Sequence, residues 1–561
     1  HDAWRYRDYV VDAFNQDKPF DQFVREQLAG DLLPSASDAQ RAEQLVATGF
    51  LMVGTKMLSE RDKEKLRLDV VDEQLDATGA AFLGMTLGCA RCHDHKFDPI
   101  PTRDYYALAG IFGSIRTLEG ESQQYVSTWQ PVPLPAEPEH VVQVAEFEER
   151  IAGLQQQLEQ AKQSQQRAEA QVAELQSAGG DALAAAQAEL TRLKADIQQQ
   201  TDAIQAQKKA APRPLPKAFA VVDLPQPIDA AICIRGDHRQ RGDKVPRGFL
   251  QVVSSGPAPR LPHAQSGRLE LANWIVRPDH PLTSRVLVNR LWVYLLGEGL
   301  VRSVDNFGEL GERPTHPELL DYLALQFTRQ GWSVKQAIRE IVLSRTYQLS
   351  SEHDERSWHV DAENRWLWRS PRRRLPAEAI RDSLLAIGGQ LDLSPGGSPV
   401  EGLGVLVTTN NAGAAGFQRR DSQRRSLYLP IIRSELPAML TVFDFADPDL
   451  VTGKRPVTNV PTQALLLLND PFVMDCAQRT SEQLLAVADP TDEARVTAAY
   501  DRILSRPPTA DDLQRAVAFL QAARAELAAP GNRADASGAE TEAFVRFVHV
   551  LLASTEFRIL D

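Results

Sequence analysis

Residues 66–93 read LRLDVVDEQLDATGAAFLGMTLGCARCH. Leu66, Val70, Leu75, Thr78, Phe82 and Leu83 recur near helical spacing, which predicts an amphipathic helix over this stretch. Gly84 ends the pattern, and the chain then runs directly into Cys89-Ala90-Arg91-Cys92-His93. A helix with one apolar face delivers a Cys-x-x-Cys-His pentapeptide, so this region reads as a helical domain that presents thiol and imidazole ligands.

The flanks carry the same period. Upstream, Phe14, Phe20, Phe23, Val24 and Leu28 share a helical face. Pro19 and Asp21 mark a helix start, because Pro fits the first turn and Asp complements the N-terminal dipole. Gly30-Asp31 and Pro34 end that helix. Downstream of Thr102, Tyr105, Tyr106, Leu108, Ile111 and Phe112 mark a third. Residues 1–135 therefore form one helical domain around the motif.

Covalent c-type haem attachment needs two thiols that reach the two vinyl groups on one side of a porphyrin, with a histidine beneath the iron. Cys89, Cys92 and His93 supply these parts, with His93 as proximal ligand. Candidates for the sixth iron position are Met52, Met57, Met85, His95 and His238. Two alternatives stand beside haem c. Cys89, Cys92, His93 and His95 offer a soft four-ligand set for zinc or another divalent metal, although ligands so close in sequence are awkward for a tetrahedral ion. The two cysteines could also form a dithiol or redox pair. The other two cysteines, Cys233 and Cys476, are far away, and four in 561 residues do not make a disulfide scaffold.

Composition narrows the functional classes. The net charge is −13, which disfavours nucleic acid and anionic lipid as partners. No apolar run reaches the roughly 18–20 residues of a membrane helix. The chain opens at His1 within the pattern Trp4-Arg5-Tyr6-Arg7-Asp8-Tyr9, so we read it as a fragment whose start, including any signal peptide, lies outside it.

Residues 141–209 change character: Gln, Ala and Glu dominate. Phe147, Ile151, Leu154, Leu158, Ala161, Ala168, Val172 and Leu175 form a heptad seam, which resumes after Gly179-Gly180 at Leu183, Ala186, Leu190, Leu193, Ile197 and Ile204. The expected structure is an antiparallel coiled-coil hairpin about 50 Å long, at 1.5 Å per residue. It offers almost no chemistry and suits a spacer or a contact arm for a protein or redox partner. Residues 210–262 are rich in Pro and Gly and predict a connector with short strands. Residues 263–561 read as a large helical domain, with helices expected at 317–330, 334–345, 376–390, 461–476, 492–504, 510–527 and 540–554, and a loop at 394–420. The fold class is mainly α.

Two polar groups in this domain exceed what a plain bundle needs. Asn289, Arg290, Asp305 and His316 lie within 28 residues, and Arg372, Arg373, Arg374, Glu378, Arg381 and Asp382 form a second cluster. One reading is an ion-pair network holding helices together. The other is a pocket for an acidic polysaccharide, because Arg forks suit planar carboxylate or sulfate groups. The Gly-rich phosphate loop, the Gly-x-Ser-x-Gly elbow and the His-Glu-x-x-His zinc helix do not occur.

Cys89-Ala90-Arg91-Cys92-His93-Asp94-His95-Lys96-Phe97-Asp98-Pro99-Ile100 resembles the hallmark of the planctomycete cytochrome c domain proteins, as do residues 4–9 and 23–31. The second half resembles that domain's usual secreted partner, a domain of unknown function. Its matching stretches include Gly267-Arg268-Leu269-Glu270-Leu271-Ala272, Asp305-Asn306-Phe307-Gly308, Pro371-Arg372-Arg373-Arg374-Leu375 and Pro461-Thr462-Gln463-Ala464-Leu465. The hairpin reads as an insertion between the two. The resemblance implies an exported, periplasmic or secreted protein with covalent haem, in electron transfer or a haem-supported role, with an association with polysaccharide breakdown. The alternative is an extracytoplasmic, glycan-active enzyme whose CxxCHxH motif holds a non-haem metal.

Overall fold

The computed structural model describes residues 2–119, 127–176, 179–254, 260–399, 422–433, 436–487, 491–529 and 536–561. It is mainly helical, with strands only as short pairs. The chain divides into two units: residues 1–33, 46–130 and 219–561 form the first, and 34–45 with 131–218 the second.

The N-terminal helices are α1 (Ala3–Asn15), α2 (Phe20–Ala29), α3 (Asp38–Ala47), α4 (Lys63–Thr78) and α5 (Thr102–Phe112). Pro19 precedes α2, as its fixed φ suits a helix start. Asp62 caps α4 by accepting from the Lys65 amide. The apolar period over 66–83 does not end with α4. It continues as a π-helical turn, Gly79–Leu83, and stops at Gly84, whose φ of +58° is left-handed.

In the second unit, α6 (Pro138–Leu175) and α7 (Asp181–Lys209) pack along each other. Val144, Ala161, Ala168, Ala186 and Ile204 are buried, whereas most of the remaining surface is exposed. Gly179 and Gly180 both take positive φ in the link between the helices, a conformation that costs Gly nothing sterically.

After the hairpin, strands Ala230–Cys233 and Arg241–Val245 pair antiparallel. Then follow α8 (Arg268–Ile275), α9 (Thr283–Leu296), α10 (Pro317–Arg329), α11 (Val334–Val342), α12 (Glu355–Val360), α13 (Ala377–Ile387) and α14 (Ala438–Val442). The chain closes with α15 (Pro461–Asn469), α16 (Pro471–Val487), α17 (Asp492–Leu504), α18 (Ala510–Leu527), α19 (Ala536–Leu552) and α20 (Thr555–Arg558). The helix expected over 461–476 is two helices. Pro471 has no N–H to continue α15, so Asp470 becomes the break and α16 starts afresh. Of the loop expected at 394–420, residues 400–420 lie outside the described residues.

The first unit holds two large apolar clusters. One combines residues of α2, α4 and α5 with Leu271, Trp274, Trp292, Leu320, Phe327 and Ile341 from α8–α11. The other joins α13 to the C-terminal helices around Leu384, Leu440, Val473 and Phe544. The helices that carry the cysteine motif thus share a core with the start of the second half. Arg268 pins the same region. It is 0% exposed, donates one hydrogen bond of 2.8 Å from each terminal nitrogen to the two carboxylate oxygens of Asp31, also pairs with Asp223, and donates to the Leu28 carbonyl at 3.0 Å. Among the described residues no helix is long and apolar enough to cross a membrane.

Candidate functional site

The motif sits on a short 3₁₀ turn, Gly88–Arg91, between the π segment and α5. Carboxylates fix its backbone. Asp76 of α4 accepts from the amides of Gly88 at 2.8 Å and Leu87 at 3.3 Å, satisfying donors that a helix start leaves open. Burial pushes the Asp76 carboxyl above its ordinary pKa, nearby Asp72 adds to that, and the two amide bonds oppose it. Arg91, between the two cysteines, reaches back to Asp72 and Asp69, both at 2.9 Å. The Arg91 carbonyl takes the Tyr106 hydroxyl at 3.0 Å. Asp94 accepts from the Thr102 amide at 2.8 Å and so supports the N-terminus of α5.

With the backbone held in this way, the chemical groups remain exposed. Cys89 and Cys92 are both exposed free thiols. The Cys92 sulfur faces Gly236, where a Cβ would lie 2.5 Å from it. Gly236 also has φ +78°, so space and backbone conformation both call for glycine there.

The two histidines differ. His93 is exposed, and its Nδ1 lies 2.7 Å from the Asp94 carbonyl. A carbonyl only accepts, so Nδ1 carries the proton and Nε2 keeps its lone pair. His95 is the reverse: its Nδ1 accepts from the Asp98 amide at 2.9 Å. The Asp98 carboxylate lies further off, at 3.5 Å, and the shorter contact sets the tautomer. The neutral His95 ring then carries its proton on Nε2 and has no lone pair left for a metal. Its side chain is 5% exposed. Among the described residues no three His, Cys, Asp or Glu side chains converge to hold an ion, so Cys89, Cys92, His93 and His95 are not assembled as a four-ligand set. The thiol pair and the His93 tautomer suit covalent haem.

Of the sixth-ligand candidates, Met52 and Met85 are core residues, 1% and 4% exposed. His238 holds Asp62 through Nε2 at 2.9 Å. Met57, 68% exposed, is the uncommitted one.

The second-half cluster takes a different form. Asn289 is 0% exposed, and its amide both donates to and accepts from the Val301 backbone at 2.8 Å. Arg290 donates to the Ala80 and Ala81 carbonyls and pairs with Asp305 at 3.0 Å. Those carbonyls belong to the π turn at the end of α4, where acceptors lack helical partners and a cation complements the dipole. Asp305 also accepts from the Gly453 amide at 2.7 Å. His316 precedes α10 and bonds Thr315 at 2.9 Å. Arg373 donates to the Tyr294 carbonyl at 2.8 Å, and Arg374 pairs with Asp444 at 2.7 Å. Arg290 and Asp305 come together, whereas the other four residues serve separate partners: backbone for Asn289 and Arg373, a hydroxyl for His316 and a carboxylate for Arg374. The loop after Asp305 also grips the motif: the Phe307 amide donates to the Gly84 carbonyl at 2.8 Å, and the Glu309 amide to Asp98 at 2.7 Å.

Sequence reasoning did not single out Asp76, Asp98 or Gly236 as supports of the motif. Asp98 lies 211 residues from Glu309, and no local pattern marks such a pair. The one available signal was carboxylates at 69, 72 and 76, spaced three and four on α4 and so on one helix face toward the motif.

Residues 1–117 match a family model described as protein of unknown function DUF1549, and residues 267–520 match one described as protein of unknown function DUF1553. No curated protein and no solved structure matches the chain. With the two domains in this order, the chain belongs to the planctomycete cytochrome c domain proteins that pair the second-type cytochrome domain with its partner domain.

Proposed function

We propose that this chain is an exported c-type cytochrome-like protein that carries haem through Cys89 and Cys92, with His93 as proximal ligand. The observation that carries the reading is the His93 ring. Its Nδ1 proton is spent on the Asp94 carbonyl, so an exposed ring with its Nε2 lone pair uncommitted directly follows two exposed cysteines in the sequence. A backbone acceptor on the far nitrogen of a ligating histidine also fixes the ring and raises its basicity. When bound, the haem supplies one-electron exchange at iron, which makes electron transfer the expected role. The chain's own part is to hold the ligand loop still, through Asp76, Arg91 and Asp98. An extracytoplasmic location follows from the family resemblance.

The test is maturation in a periplasm equipped for c-type attachment. The Soret band should survive acid–acetone extraction, and Cys92→Ala should weaken or abolish that retention. Purified protein with stoichiometric zinc and no haem would overturn the proposal.

A further inference from the structure

A cleft of about 440 Å³ opens beside the motif loop, between α4, α5 and the hairpin 230–233/241–245. That size is within the range of small-molecule and cofactor sites. Leu68, Val71, Ala109 and Ile228 give it apolar walls. Arg67, Arg91, Arg241 and Lys244 line it as cations, against one lining carboxylate, Asp229, which is engaged with Arg247. The acids that pair with the three arginines, Glu64, Asp69 and Asp72, are not among the lining residues. Lys244 has no ion-pair partner among the described residues.

The cleft is connected to the motif at two points. Arg91 belongs to both, and its carbonyl holds Tyr106, another lining residue. Cys233 lines the cleft, and three residues later Gly236 abuts the Cys92 sulfur. The thiol therefore adjoins the strand hairpin that walls the cavity.

A haem is a flat apolar plate whose two carboxylates lie away from the vinyl groups that thiols capture. Apolar walls suit the plate, and buried carboxylates need charge-assisted donors. We propose that this cleft receives the propionate-bearing edge of the haem, with Arg241 and Lys244 pairing its carboxylates. The proposal rests on the haem reading above.

The experiment compares haem-loaded parent protein with the double variant Arg241→Gln/Lys244→Gln by spectroelectrochemistry. Both side chains are on the exposed face of a strand, so the fold should hold, and a circular dichroism melt checks it. The variant should keep its haem through acid–acetone extraction while its midpoint potential falls. Reduced haem carries one positive charge fewer, so cations nearby favour the reduced form. Lys194→Gln on α7 serves as control and should leave the potential unchanged. Arg241→Glu/Lys244→Glu should lower the potential further. Covalent haem with a potential that neither double variant moves would overturn the seat and leave the haem reading standing. A parent protein without covalent haem would overturn both.

Discussion

Both the motif loop, residues 84–100, and the polar cluster of the second half are rich in groups that could do chemistry, but they use those groups in opposite ways. In the loop, backbone and carboxylates are paired off while Cys89, Cys92 and the His93 Nε2 stay exposed and uncommitted. In the cluster, Asn289, Arg290 and Arg374 are committed to carbonyls, an amide and carboxylates. A polar side chain whose hydrogen-bonding capacity is used up by the fold has little left for a ligand. The comparison predicts that substitutions in the second half cost stability, whereas those at the motif cost function.

The largest effect is expected at Arg268. Removing one partner from a buried charge cluster costs about 3–5 kcal/mol, so Arg268→Ala should unfold at much lower urea, leaving Asp31 and Asp223 buried without their cation. A variant as stable as the parent would break the comparison.

His280 comes next and gives a pH dependence. It is buried, its Nδ1 accepts from the backbone amides of Leu282 at 3.3 Å and Thr283 at 3.4 Å, and burial lowers its pKa from 6.5 to about 4. The unfolded chain therefore binds the proton first. Stability from this group is full above pH 6.5 and falls as pH drops toward 4, by up to about 3 kcal/mol at 1.36 kcal/mol per unit. His280→Gln should flatten the slope of urea midpoint against pH in that window. An unchanged slope would show that other groups carry the acid sensitivity.

Asn289→Ala orphans both the amide and the carbonyl of Val301, and each unmade buried hydrogen bond costs about 1–3 kcal/mol. Asp76→Ala removes the cap from the 3₁₀ turn, a loss of about 0.5–2 kcal/mol. It should also slow haem attachment, because it frees the loop that presents the thiols. The smallest stability change is expected for Cys92→Ala, within about 0.5 kcal/mol for an exposed side chain. If Cys92→Ala proves as destabilising as Asn289→Ala, the distinction between the two regions fails.

Much of the fold was legible in the sequence. The helical periods over 66–83, 102–112, 317–330 and 510–527 correspond to helices because side-chain spacing is a local property of the backbone. Pro471 shows where such reading slipped: an apolar run crossed a break that the missing N–H imposes. The π turn at Gly79–Leu83 was equally hidden, since its carbonyls are satisfied by Arg290, more than 200 residues away.

For the site, the sequence by itself determined the ligand types and their spacing. Two thiols separated by two residues and followed by histidine are a covalent fact, independent of folding. Only the tertiary structure decided which histidine stays available. His93 and His95 are the same residue two positions apart, and they differ because one meets a carbonyl and the other an amide. Likewise, the sequence leaves the arginines of the second half as either an ion-pair network or ligand forks, and the fold is what engages Arg290 with carbonyls and Arg374 with Asp444. Hydrogen-bond partners are whatever the fold brings within about 3 Å: for the two histidines the local path of the loop makes that choice, and for Arg290 and Arg374 segments remote along the chain make it.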